Sequence, residues 1–244
     1  MSRVPFVLWR KENSLALRAR STWFVFAAVA GLSGVLLVAG LRAAAGHVAS
    51  LPVVFCSQLA IAAPFAVAFF TMGLFARERA SGTLETLFTA PVTDAEVVLG
   101  KFLSAYGLVL LSLALGSIPF AVYLHLAAPP PPFAPAHVAW GAAAVALASA
   151  AWTAFGVLAA VAARRESAAG ATTLAFCLSS AALLAGRFPG FRDAGISRTV
   201  DILDFARGVA DTRPIVLFIT AAAFFLFCAV RLLETRRWAS STRS

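Results

Sequence analysis

From Phe102 to Ala163 the chain carries no aspartate, glutamate, lysine or arginine, a charge-free run of 62 residues. Over all 244 residues only 13% are charged and 61% are hydrophobic, whereas soluble domains carry about a quarter charged residues. That balance excludes an ordinary soluble domain. Cysteine is also scarce. Cys56, Cys177 and Cys228 each lie in an apolar run, and their odd number and wide spacing exclude a disulfide framework or a metal-binding cysteine pair. No Gly-rich loop precedes Lys-Ser or Lys-Thr, and no zinc helix or nucleophile elbow is present. The chain therefore has no motif for hydrolysing nucleotide itself, and no catalytic, cofactor-binding or metal site is expected. Acids are outnumbered, eleven against twenty bases, for a net charge of +9. The arginines stand at the ends of apolar runs, as suits anionic lipid headgroups, and no basic stripe with interleaved aromatics points to nucleic acid.

What is present in quantity is membrane-length apolar sequence. A helix needs roughly 20 apolar residues to cross about 30 Å of hydrocarbon. Residues 21–41 and 51–75 supply two such spans. As one helix, the charge-free run from Phe102 would extend about 93 Å, so it must fold back. The break falls at Ala127 to His137, where Pro129 to Pro132 and then Pro135 oppose helix. Spans 102–126 and 138–163 result, followed by 167–186 and by 214–230, the last opened by Pro214 at a tolerated first-turn position. The first span is expected to be a retained helix and not a cleaved signal peptide, because its basic lead is long and its apolar run is of full membrane length. The expectation is a single transmembrane domain over residues 1–244: all-α, integral to the membrane, with six transmembrane helices. Lys and Arg fall fourteen to one side and six to the other when the N-terminus is inside, which places both termini in the cytoplasm.

Inside the spans no acid or base stands at mid-depth, where such groups mark ion or proton pathways. Small residues dominate: Gly141, Ala144, Ala148, Ser149, Ala151 and Gly156 favour close helix packing. Pro52, Pro64 and Pro119 predict kinks. Ser57, Gln58, Ser112 and Ser117 fit either a polar track or interhelical hydrogen bonds. His125 and His137 flank the proline turn without the spacing of a metal pair.

Two amphipathic stretches flank the spans. Val4 to Arg20 mixes Trp9 and apolar neighbours with Arg10, Lys11, Arg18 and Arg20, the pattern of an interfacial helix lying along the membrane, although a basic tail that only sets orientation has the same composition. Ser197 to Arg213 has helical order, with Asp201, Asp204, Arg207 and Asp211 in one sector and Ile202, Phe205, Ala206 and Val209 in another. Three carboxylates on one face suit a metal or substrate, but Asp204–Arg207 and Arg207–Asp211 pairs at i,i+3 and i,i+4 account for them more simply.

The polar island between the second and third spans, Arg77 to Lys101, is the most informative stretch. Leu84, Leu87 and Phe88 recur at i, i+3, i+4, so one side of a short helix is apolar. Pro91 ends that piece. Thr93-x-x-Glu96 then reads as a capping box that starts the next helix. Short helix, proline break and capped restart make a docking platform.

Glu78-Arg79-Ala80-Ser81-Gly82-Thr83-Leu84-Glu85-Thr86-Leu87, Ala90-Pro91-Val92-Thr93 and Glu96-Val97-Val98-Leu99-Gly100-Lys101 together resemble the signature of type-2 ATP-binding cassette permeases. Phe205-Ala206-Arg207-Gly208-Val209-Ala210-Asp211 and Arg231-Leu232-Leu233-Glu234-Thr235-Arg236-Arg237-Trp238 resemble the short branch found with gliding-motility-type transporters, and Arg10-Lys11-Glu12 resembles the family's N-terminal segment. The resemblance implies a six-span permease subunit, an exporter of the bacterial cytoplasmic (inner) membrane, driven by a separate ABC ATPase that binds the ATP and Mg. It implies that Glu78, Gly82, Thr83, Leu84, Glu85, Leu87 and Phe88 belong to a cytoplasmic coupling helix contacting that ATPase. Asp201, Asp204, Arg207 and Asp211 would lie on an external helix between spans five and six. A second permease copy or paralogue, membrane lipid and an extracytoplasmic accessory protein are the further partners of this reading. The alternative is a membrane scaffold of an ATPase-driven envelope machine that transports nothing.

Overall fold

The computed structural model describes residues 4–44, 51–75, 93–127, 133–163, 165–184, 203–209 and 211–241. Within them every regular element is a helix. These are α1 (Val4–Arg18), α2 (Arg20–Ala43), α3 (Leu51–Met72), α4 (Asp94–Gly116), α5 (Ile118–Leu126), α6 (Pro135–Ala162), α7 (Glu166–Leu184), α8 (Leu203–Ala206) and α9 (Thr212–Ser241). Among the described residues five stretches are long and apolar enough to cross a membrane: α2, α3, α4 with α5, α6, and α9 as far as Thr235.

α3 and α6 form the centre, because they carry the smallest side chains where they meet. Gly141 of α6 lies against Cys56 of α3, with Ala206 of α8 closing over the same spot. Fifteen positions on, a methyl at Gly156 would stand 2.5 Å from Thr71 Oγ1. Between these contacts Ala144, Ala148, Ser149 and Ala151 are buried, so the backbones approach closely along the whole crossing. Trp152, 1% exposed, is the largest fully buried side chain of the same core among the described residues. α2 and α9 lie outside and turn large apolar side chains outward, among them Phe24, Val35, Phe224 and Phe227. α9 is held by aromatic packing, with Phe225 set edge-on to a stacked Phe155–Phe176 pair bridging α6 and α7.

The two ends of the bundle differ. At one end Phe75, Val97, Val98, Val161, Ala169, Ala229 and Leu233 share a cluster, gathering α3, α4, α6, α7 and α9 around the ends of the island. Gly40 faces Val54 and Gly208 faces His137 at the other end.

α4 begins at Asp94, as the Thr93 capping box predicts, and runs on into the span expected from residue 102. Other local readings change. The helix then breaks at Ser117 and resumes as α5 with Pro119 in its first turn, so the bend lies just before the proline. Pro52 lies in the first turn of α3 and makes no kink, and α3 continues through Pro64. Pro135 was expected to oppose helix, yet it opens α6, where its missing N–H costs nothing. The helix expected over Ser197 to Arg213 is described only as Leu203–Ala206. Gly208 ends it with a left-handed φ of 85°, so Asp204, Arg207 and Asp211 do not share one helical face. Ser57, Ser112 and Ser117 each donate to a carbonyl three or four residues earlier in the chain and not to another helix. Gln58, 1% exposed, has no partner for either amide atom among the described residues.

Candidate functional site

The site is the base on which the island stands. Residues 76–92, with Glu78, Gly82, Thr83, Leu84, Glu85, Leu87 and Phe88, lie outside the described residues. Both of its attachment points are described. On the near side α3 ends at Met72 and a turn carries the chain through Phe75, with the Leu74 N–H bonded to the Thr71 carbonyl. On the far side Thr93 caps α4. Its hydroxyl accepts from the Glu96 N–H at 3.3 Å, and the Glu96 carboxylate accepts from the Thr93 N–H at 3.0 Å. Asp94 and Glu96 in the first turn also suit the positive end of the helix dipole.

Lys101 lies two turns into α4 and is only 4% exposed. Its ammonium donates to the Leu74 carbonyl at 2.7 Å. It stands 3.5 Å from Glu12 Oε1 of α1 and 5.0 Å above the Phe75 ring. One turn further along α4, Ser104 meets α1 again. With its amide oriented to satisfy its neighbours, Asn13 donates to Ser104 Oγ at 2.8 Å and accepts from Trp9 Nε1 at 2.9 Å. Gly107 lies beside both side chains, where an added methyl would make only ordinary contact, 3.5 Å from Trp9 Nε1 and 3.6 Å from Asn13 Nδ2. α1 is therefore docked along α4 as well as amphipathic. A cleft of about 120 Å³ opens beside this junction, lined by Glu12, Thr22, Phe70, Lys101 and Ser104 among others.

α1 and α2 are separate helices because Ala19 adopts an extended conformation between them. The Trp23 indole then donates to the Leu17 carbonyl at 2.9 Å, satisfying one of the acceptors that the end of α1 leaves free. Nothing in this arrangement activates a nucleophile or carries a proton. Among the described residues no group of His, Cys, Asp and Glu is placed to hold a metal ion. What the geometry provides is mechanical: the two attachment points of the island and one neighbouring helix are fastened together.

A family model described as ABC-2 family transporter protein matches residues 36–188. The chain belongs to the ABC-2 transporter family. The match takes in the island, both of its attachment points and the α3–α6 centre. With five apolar helices long enough to cross, this ABC-2 chain is a multi-pass membrane protein. Comparison with curated proteins returned no match.

Asp204, Arg207 and Asp211 lie at the opposite end of the ABC-2 bundle. Asp204 and Arg207 form an ion pair at 2.7 Å, whereas Asp211 accepts from the Arg213 backbone N–H at 2.9 Å. Asp201 lies outside the described residues. Sequence reasoning missed the Glu12–Lys101 and Asn13–Ser104 contacts. The available signal was a polar stripe: Lys101 and Ser104 lie three apart on an otherwise apolar helix, and Glu12 and Asn13 are adjacent on an amphipathic one.

Proposed function

We propose that this chain is the six-span permease subunit of an ATP-driven exporter in the bacterial cytoplasmic membrane, with both termini in the cytoplasm. In this reading residues 82–88 are the coupling helix, and a separate ABC ATPase binds ATP and Mg and presses on it. A second permease copy or paralogue completes the path between the two halves, and an extracytoplasmic accessory protein receives what leaves it. The observation that carries the reading is the base of the island: a capped helix start, a buried lysine bonded to the end of the preceding helix, and a shared apolar cluster. A platform built to receive force needs such a foundation, whereas a slack connecting loop does not.

Leu84, Leu87 and Phe88 supply the apolar face that would enter a groove on the ATPase. Burying one such side chain is worth roughly 1.5–3 kcal/mol, and one or two anchors often dominate an interface. Leu87→Asp would place an unpaired carboxylate in that groove, at a desolvation cost greater than the lost contact. The expected result is normal membrane abundance with loss of the co-purifying ATPase, while Thr86→Asp, off the apolar stripe, is milder. Recovery of the ATPase with Leu87→Asp at the parent stoichiometry would remove the coupling-helix assignment.

A further inference from the structure

Three segments far apart in sequence converge on the Lys101 ammonium. The Leu74 carbonyl lies beyond the last residue of α3, where no intrahelical donor reaches it, and Lys101 supplies the hydrogen bond at 2.7 Å. Glu12, on α1, offers a carboxylate at 3.5 Å. Phe75 places its ring under the same charge at 5.0 Å. Lys101 itself belongs to α4. A cation this deeply buried is strongly unfavourable unless paired, and removing a partner leaves an uncompensated charge. The junction is therefore specific in geometry, in contrast to the apolar cluster of Phe75, Val97 and Val98 beside it, whose contacts can slide. The Asn13–Ser104 bond ties α1 to α4 alone, whereas Lys101 also reaches the end of α3.

We infer that Lys101 is a positioning residue that makes α1, the end of α3 and the start of α4 move as one body, so that displacement of the island is delivered to α1. The delivery of force rests on the island being the ATPase contact; the fastening itself does not. α1 is thereby a working part of the permease as well as a membrane-surface helix.

The test uses the full chain in lipid nanodiscs, with Cys56, Cys177 and Cys228 replaced by alanine. Spin labels at the exposed positions Arg10→Cys and Ala95→Cys report the α1–α4 distance, and a second pair at Gly73→Cys and Ala95→Cys reports α3–α4. Each pair should give one narrow distance peak in the parent. Lys101→Met should lose the narrow peak in both pairs. Glu12→Gln keeps the Leu74 bond and should lose it in the Arg10–Ala95 pair alone. Lys101→Arg, which can still donate to both partners, should restore much of it. A narrow Arg10–Ala95 peak in Lys101→Met overturns the inference. If Lys101→Met does not fold, a narrow Arg10–Ala95 peak in Glu12→Gln overturns it equally. Co-purification of the ATPase separates the two readings: these variants leave the island's apolar face intact and should retain it, while Leu87→Asp should not.

Discussion

Gly156 stands where no side chain fits: a methyl there would lie 2.5 Å from Thr71 Oγ1 and 2.8 Å from Thr71 Cβ. Thr71 cannot easily turn away, because its hydroxyl is bonded to the Val67 carbonyl at 2.7 Å. Gly156→Val should therefore push α3 and α6 apart and cost about 1–3 kcal/mol, the usual range for overpacking. Thermal unfolding in detergent would show this as a lowered midpoint. Gly31 is the internal control, since nothing lies within 4 Å of a methyl built there. Gly31→Ala should leave the midpoint unchanged or raise it slightly. The small-residue stripe of α6 was legible because spacing along one helix is a local property. The burial of Lys101 was not. A lysine at the end of an apolar run reads the same whether it reaches out to water or folds beneath a neighbouring helix, and only the docking of α1 decides between them.

At the scale of the element, the Thr93 cap was read well and the prolines less so. Thr93 and Glu96 form the reciprocal cap that their spacing predicts. Thr93→Ala should cost about 0.5–2 kcal/mol, and hydrogen exchange should show the Glu96 and Val97 amides losing protection before the rest of α4. Equal protection at those amides in the variant and the parent would mean that the cap does not govern this helix start. The helix ends at Leu126 and Pro135 bracket the expected break, Pro129 to Pro132 lying outside the described residues, but Pro135 was assigned to the wrong side of the boundary. Proline opposes helix only where an N–H is required, and the first turn requires none. The stretch over Ser197 to Arg213 misled for a related reason. Its charged and apolar sectors have helical spacing, yet Gly208 at a φ of 85° stops the helix after Ala206. Periodicity cannot register a single residue that reverses the backbone.

Across the whole molecule, α7, over the expected span 167–186, is not among the membrane-length stretches of the described residues. Hydropathy located the other five because the bilayer imposes one length on them. It could not supply their order in space, which depends on glycine contacts such as Gly141 with Cys56 and Gly40 with Val54. The proposed arrangement predicts sidedness. With the native cysteines removed, single cysteines at Pro131 and Asp201 should react with an impermeant thiol reagent applied to intact cells, and those at Gly82 and Ser240 should not. Labelling at Ser240 would reverse the orientation of the last helix.

α9 has a consequence for how the protein sits in its lipid. At 30 residues it extends about 45 Å, against a hydrocarbon core of about 30 Å. Arg231, placed over the Phe227 ring and paired with Glu234 at 3.0 Å, marks where the apolar surface gives way to charge. Beyond that mark the helix continues to Ser241. The hydrophobic length of this flank is therefore that of the apolar residues 214–230 alone, about 25 Å, and the charged remainder of the helix stays outside the hydrocarbon. Longer acyl chains should then thin the bilayer locally beside α9, whereas shorter ones should leave this flank undisturbed.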